Sequence, residues 1–150
     1  MSTDTPRTGT RGMTWPQLLS ITIGVVYTLV GVIGFIITGF GDFFGHTGQT
    51  LVGFEINGMH NLVHLLVGLA GLALARTLSG ARTYGWLLAV GYGAVFLYGL
   101  FAVGRDWDLL SLNWADNWLH LLTALVGLAI ALGPVHSAAT AHGRDTSLRR

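Results

Sequence analysis

Long apolar stretches separated by charged residues dominate the pattern of this chain. Histidine aside, formal charges are absent from four intervals: Arg11 to Asp42, Glu55 to Arg76, Arg82 to Arg105, and Asp116 to Arg144. Each interval can hold the ~20 residues that cross a ~30 Å hydrocarbon core. Helices satisfy their own backbone groups in lipid. The pattern therefore predicts an all-α protein with four transmembrane helices, at about 16–40, 57–75, 84–104 and 114–133.

Composition supports lipid as the solvent of this chain. Of its 150 residues, 51% are hydrophobic and 10% are charged, whereas soluble domains carry roughly a quarter of charged residues. We therefore predict a four-helix membrane domain over 15–133, with the lipid bilayer as its partner.

The net charge of +1 gives no basis for nucleic-acid binding. The polar tails, 1–14 and 134–150, are predicted to be disordered, and the absence of cysteine excludes disulfides and thiolate sites.

The distribution of arginine predicts the orientation. One set of segments contains Arg7, Arg11, Arg76, Arg82, Arg144, Arg149 and Arg150, whereas the opposite set contains only Arg105. Cytoplasmic loops carry the excess of basic residues. Both termini and the 76–83 loop are therefore predicted to be cytoplasmic, which is an N-in/C-in topology.

All eight basic residues are arginine and glycine is abundant, which favours a bacterial plasma membrane protein from a GC-rich genome.

The second and fourth predicted helices begin with similar sequences. NGMHNLVHLL starts at Asn57 and NWADNWLHLL starts at Asn113, an offset of 56 residues. The first and third helices match only loosely. We infer two helical hairpins, repeat 1 at about 16–75 and repeat 2 at about 84–133, related by a parallel pseudo-twofold axis.

Each of these helices has a polar stripe at positions i, i+3, i+4 and i+7, which share one helix face. The stripes are Asn57, His60, Asn61 and His64 on one helix, and Asn113, Asp116, Asn117 and His120 on the other. A polar face is costly against lipid. The two stripes are therefore predicted to turn inward and meet each other near the outer surface.

Three segments resemble the bacterial domain-of-unknown-function 4383 family. They are GFI at 34–36, N-x-x-H-N-L-V-H-L-L-x-G at 57–68, and L-N-x-x-D-N-x-L-H-L at 112–121. The resemblance covers about 16–133. It implies a small four-helix membrane protein and implies no established activity.

The stripes fit several functions. Asn57, Asn61, Asn113 and Asn117 can form a polar cluster that caps helices and clamps them together by hydrogen bonds. In the second interpretation, His60, His64, Asp116 and His120 bind a divalent metal, since imidazoles at i,i+4 can share one ion. In the third, His64 and His120 are axial ligands of a b-type haem between facing helices.

Other functional classes have less support in the sequence. The titratable residues stop in the outer half of the helices, which argues against a continuous proton path. No paired carboxylates, phosphate-binding loop or nucleotide fingerprint is present. We therefore expect a non-enzymatic membrane protein whose polar cluster is a structural clamp or a small-ligand site, with a metal or haem protein for redox or transport as the alternative. Homo-oligomerisation and membership of a larger membrane complex both stay open.

Overall fold

The computed structural model describes residues 12–41 and 43–135, and this part of the chain contains four helices and one small hairpin. The elements are α1 (Trp15–Thr38), β1 (Thr50–Leu51), β2 (Phe54–Glu55), α2 (Gly58–Leu74), α3 (Leu78–Ala102) and α4 (Trp114–Leu132). The predicted helical protein with four helices is confirmed. The two short strands were not predicted. The predicted tail disorder lies almost wholly outside the described residues.

Three of the four described helices are long and apolar enough to cross a membrane, namely α1, α3 and α4. Helix α2 is apolar but has 17 residues. At 1.5 Å per residue this helix is about 25 Å long, which is shorter than the ~30 Å hydrocarbon core that a span of ~20 residues crosses. The chain is therefore a membrane protein with three membrane-length helices.

The turn between α2 and α3 is shorter than predicted. Helix α3 begins at Leu78, where the Thr77 hydroxyl accepts a hydrogen bond from the Gly80 amide at 3.0 Å. Arg82 lies inside this helix, so the prediction of a loop at 76–83 was wrong for this residue. Its guanidinium donates to the Gly133 carbonyl at the end of α4, at 3.3 Å. A cation there is favourable because the C-terminal end of a helix carries partial negative charge.

The helices form two closely packed pairs, α1 with α2 and α3 with α4. A Cβ atom on Gly24 would lie 2.9 Å from the backbone nitrogen of Leu72, and one on Gly85 would lie 2.7 Å from that of Ala131. Such close backbone approach is typical of helix packing in membranes, where small residues allow dispersion contacts. The two pairs then meet around a core that includes Tyr27 and Tyr92.

The hairpin lies on the segment that precedes α2. Leu51 pairs with Phe54, and the turn residues between them, Val52 and Gly53, have φ angles of 54° and 87°. Two positive φ values are typical of a type I′ turn, which a β-branched residue such as Val52 adopts only with strain. We call the end of the bundle that contains this hairpin and the starts of α2 and α4 the hairpin end.

Candidate functional site

Two asparagines begin α2 and α4 in the same way. The Asn57 side chain accepts a hydrogen bond from the His60 amide, and the Asn113 side chain accepts one from the Asp116 amide, both at 2.9 Å. An N-terminal helix cap satisfies an otherwise unpaired backbone N–H group. The caps fix the first turns of both helices, and with them the positions of His60 and Asp116.

The same two asparagines also join the helix pairs. Asn57 Nδ2 donates to the Leu109 carbonyl at 3.0 Å, on the segment that leads into α4. Asn113 Nδ2 donates to the Gly53 carbonyl at 2.8 Å, on the hairpin that leads into α2. Each accepting carbonyl lies four residues before the other asparagine. Each asparagine therefore holds the segment that precedes the opposite helix.

Asn61 and Asn117 face away from each other. Each is fully buried, and each packs against a glycine of its own helix pair, Gly34 for Asn61 and Gly99 for Asn117. The prediction that both whole stripes meet was therefore wrong for these two residues. Adjacent helix residues point about 100° apart, so when His60 faces α4 the neighbouring Asn61 turns toward α1.

The four titratable residues of the stripes do come together, and we call His60, His64, Asp116 and His120 the His/Asp cluster. Asp116 lies between two rings, with Oδ2 3.7 Å from His60 Nδ1 and Oδ1 3.5 Å from His120 Nε2. The rings of His60 and His64 are stacked, with centroids 4.5 Å apart. All four side chains are buried.

Two tyrosines that the sequence analysis did not single out complete the site. Tyr27 meets His64 edge to face with centroids 4.9 Å apart, and Tyr92 lies 5.4 Å from the His120 ring. Tyr27 also shares a hydrogen bond of 2.7 Å with the Thr123 hydroxyl. A pattern in the sequence could have revealed the tyrosines, since each precedes a packing glycine by seven residues, Gly34 and Gly99 respectively.

The hydrogen bonds of the histidines fix which ring nitrogen carries the proton. His60 Nδ1 lies 3.2 Å from the Leu110 carbonyl, and His64 Nδ1 lies 3.0 Å from the His60 carbonyl. A carbonyl oxygen can only accept, so both neutral rings are protonated at Nδ1 and keep a free lone pair at Nε2. Asp116 Oδ2 has no hydrogen-bond partner within the described residues. The Tyr92 hydroxyl and His120 Nδ1 are likewise unpaired among these residues. The site therefore has free acceptors on His60 and His64 and, on the Tyr92 side, a hydroxyl that can donate.

The cluster does not have the geometry of a closed metal site. Within residues 12–41 and 43–135, no group of three His, Asp or Glu side chains is arranged to hold one metal ion. The stacking of His60 on His64 explains part of this, because parallel rings direct their Nε2 lone pairs side by side. The metal hypothesis would require these rings to rotate.

The haem hypothesis fails on space. His60, His64, Tyr92 and His120 enclose a cavity of about 20 Å³. This volume is close to that of a single buried water. Tyr92 lies against both His64 and His120. The described residues therefore do not accommodate a porphyrin between the two proposed axial ligands.

A much larger space adjoins the cluster on its other side. This cleft has a volume of about 350 Å³ and lies between α1, the hairpin, α2 and α4. Its walls are almost wholly apolar, whereas His60, His64 and Asp116 lie at one end. Along α1 its wall residues Val26, Leu29 and Ile33 are also exposed on the bundle surface. The cleft therefore opens sideways, toward the surroundings of the helices.

Comparison with known proteins supports the motifs described above. No curated protein and no solved structure matches the chain. A family model described as a domain of unknown function, DUF4383, matches residues 17–133. This range includes nearly all of α1, the hairpin and the other three helices. The chain therefore belongs to the DUF4383 family.

Proposed function

We propose that this protein is a non-enzymatic membrane protein that binds a small ligand in the cleft, with the His/Asp cluster as the polar end of the site. The single observation that carries the proposal is the position of two free acceptors, His60 Nε2 and His64 Nε2, beside the buried carboxylate of Asp116 at the end of an otherwise apolar cleft. A volume of about 350 Å³ falls within the ~300–1,000 Å³ of small-molecule sites, which combine apolar walls with a few polar groups.

The asparagines act as the clamp that builds this site. Asn57 and Asn113 tie each helix pair to the segment before the opposite helix. This reciprocal arrangement supports our proposal that the two pairs are repeated hairpins related by a pseudo-twofold axis. It also keeps the walls of the cleft together at the hairpin end, where the cluster lies.

In our proposed topology all four helices cross a bacterial plasma membrane, with the hairpin end outside and both termini in the cytoplasm. Among the described residues, Arg76 and Arg82 lie at the end opposite the hairpin and Arg105 alone lies at the hairpin end, which agrees with the excess of basic residues in cytoplasmic loops. Helix α2 can cross although it is short, because its polar first turns are buried among the other helices.

A divalent metal at His60, His64, Asp116 and His120 is the second candidate. The same free lone pairs on imidazole and carboxylate support it, since borderline cations such as Zn²⁺ bind these groups. In this case the site binds a metal ion and no organic ligand, and the protein serves redox chemistry or transport. The two candidates differ in what purifies with the protein.

The test is native mass spectrometry of the full chain purified in mild detergent, together with elemental analysis and an absorbance scan. The proposal predicts an organic adduct that is lost in His64→Ala and retained in His46→Ala. His46 is the matched control because its ring is partly exposed and lies outside the cluster. Stoichiometric metal lost in His60→Ala would favour the second candidate. If the protein carries no adduct and the variants lose only thermal stability, the cluster has only a structural role as a clamp between the helices.

A further inference from the structure

The two sides of the His/Asp cluster are built from corresponding residues, yet only one side is open. The large cleft is lined by Tyr27, Val30, Ile56 and His64, and the small cavity by Tyr92, Val95, Leu112 and His120. The residues correspond in order, with an offset of 65 between α1 and α3 and of 56 elsewhere. The volumes are about 350 Å³ and about 20 Å³. A difference in the surrounding residues must therefore open one side and close the other.

Tyr98 holds the segment whose Leu110 and Leu112 line the small cavity. Its hydroxyl accepts a hydrogen bond from the Leu109 amide at 2.8 Å and donates to Asp108 Oδ1 at 3.2 Å. Asp108 in turn accepts from the amides of Leu110 and Leu112, at 3.0 and 2.6 Å. These bonds hold the segment before α4 against α3, where Leu110 and Leu112 line the small cavity beside His120.

The corresponding position on the open side is Ile33, which has no polar atom to hold the hairpin. Ile33 lines the cleft, with Leu51 and Phe54 of the hairpin on another part of its wall. The hairpin is held instead at its turn, where Asn113 Nδ2 donates to the Gly53 carbonyl at 2.8 Å, and at its base, where the Thr47 hydroxyl donates to the Ile56 carbonyl at 2.7 Å. The hairpin therefore spans the cleft without filling it.

The contents of the open side can be inferred from its hydrogen-bonding groups. Its free polar atoms are His60 Nε2 and His64 Nε2, which are acceptors, and the Asp116 carboxylate lies buried beside them. A ligand that only accepts hydrogen bonds, such as an ether or an ester, leaves these buried acceptors unpaired, which is costly. The described residues of the cleft wall include no arginine or lysine, so a phosphate or carboxylate head would meet Asp116 without a compensating cation.

Resting on the function proposed above, we propose that the cleft binds a membrane-dissolved amphiphile whose head group is a hydroxyl. The molecule enters sideways between α1 and α4, past Leu29 and Ile33 on one side and Leu119 on the other. Its hydroxyl donates to the His/Asp cluster, and its apolar body lies along the exposed face of α1. The protein therefore takes one such molecule per chain, since the corresponding side is closed by Tyr98.

The experiment uses the full chain in phosphatidylcholine nanodiscs and a diazirine-bearing decanol as the probe. After irradiation, peptide mapping should find the label on α1 around Leu29 and Ile33. Unlabelled decanol should compete at least tenfold better than decyl methyl ether, which has the same chain without the donor. Ile33→Trp, which fills the entrance, should reduce labelling at least tenfold. Val90→Trp is the matched control, because Val90 is an exposed residue of α3 outside the cleft.

Different outcomes separate this inference from the proposed function. Specific labelling of the cleft with equal competition by decanol and the ether would overturn the hydroxyl assignment and leave a small-ligand site in place. Stronger competition by decylamine than by decanol would also overturn it, in favour of a cationic head. Labelling that is spread over all lipid-facing helices and unaffected by Ile33→Trp would overturn the inference and argue against an organic ligand in the cleft. His64→Phe keeps an aromatic ring without the acceptor and should weaken decanol competition while leaving folding intact.

Discussion

Asn61 and Asn117 occupy matching places on α2 and α4, yet only Asn61 has a partner for its amide nitrogen. Asn61 Nδ2 donates to the Thr38 hydroxyl at 2.9 Å. Among the described residues, Asn117 has no partner for either amide atom. The position that corresponds to Thr38, four residues after the packing glycine, is occupied by Val103. A single side chain at the end of α3 therefore accounts for the difference.

Replacing Val103 by threonine should stabilise the protein. The new hydroxyl would pair with Asn117 Nδ2, and a net gain of about 1 kcal/mol is typical of such a hydrogen bond. The reverse change, Thr38→Val, should cost about 1–3 kcal/mol because it leaves a buried donor unpaired. Unfolding by sodium dodecyl sulfate from mixed micelles, followed by circular dichroism, measures both free energies. If Val103→Thr is neutral or destabilising while Thr38→Val behaves as stated, the two positions do not correspond.

Alanine at either packing glycine should destabilise the bundle. A Cβ atom on Gly34 would collide with the Asn61 side chain, and one on Gly99 with that of Asn117. Overpacking of this kind typically costs about 1–3 kcal/mol. Gly93→Ala is the matched control, since none of the described residues comes within 4 Å of the place that its Cβ atom would occupy, and it should gain up to about 1 kcal/mol from helix propensity. Thermal unfolding in detergent ranks the three variants, and a harmless Gly99→Ala would contradict the close contact with Asn117.

The helices and the identity of the cluster could be predicted from the sequence because they depend on short-range patterns. Charge-free intervals indicate all four helices, and the i, i+3, i+4, i+7 spacing places His60, His64, Asp116 and His120 on the faces that the structure buries. The start of α3 could not be predicted, because an arginine next to an apolar run favours a loop until its partner is known. In the structure that partner is the Gly133 carbonyl after α4, which accepts a hydrogen bond from the Arg82 guanidinium.

The cleft could not be predicted, since it depends on contacts between distant segments. We attribute its volume to the difference between Ile33 and Tyr98, which matters only once the segments before α2 and α4 are folded over the cluster. The opposed directions of Asn61 and Asn117 were missed for a similar reason. A shared helix face spans a wide angle, and only the packed bundle decides which neighbour each of its residues meets.

The turn of the hairpin offers a stabilising substitution. Val52 has a φ of 54° and is 86% exposed, so its side chain makes little packing contact to offset the strain. Val52→Asn creates the Asn-Gly pair that type I′ turns prefer, and relief of the left-handed conformation is worth about 1 kcal/mol. We expect higher thermal stability in Val52→Asn and no gain in Val90→Asn, which is exposed but helical. Unchanged stability in Val52→Asn would mean that the hairpin opens before the bundle unfolds and does not contribute to the measured stability.

The reciprocal bonds of Asn57 and Asn113 can be separated from their capping role. Serine caps helices about as well as asparagine but cannot reach the Leu109 carbonyl that Asn57 Nδ2 binds at 3.0 Å. Asn57 Nδ2 also donates to the Gly45 carbonyl at 3.2 Å. Asn57→Ser should therefore cost about 1–2 kcal/mol for the lost bonds to Leu109 and Gly45, and Asn57→Ala should cost about 1 kcal/mol more for the lost cap.

Thr77, the cap of α3, supplies the control for this comparison because its side chain caps Gly80 and lies in the turn between α2 and α3. Thr77→Ser should be nearly neutral, whereas Thr77→Ala should lose about 1 kcal/mol. Denaturant titrations of the four variants give the differences directly. If Asn57→Ser proves as neutral as Thr77→Ser, the asparagine amide does not hold the two helix pairs together, and the walls of the cleft must be fixed by apolar packing around Tyr27 and Tyr92 alone.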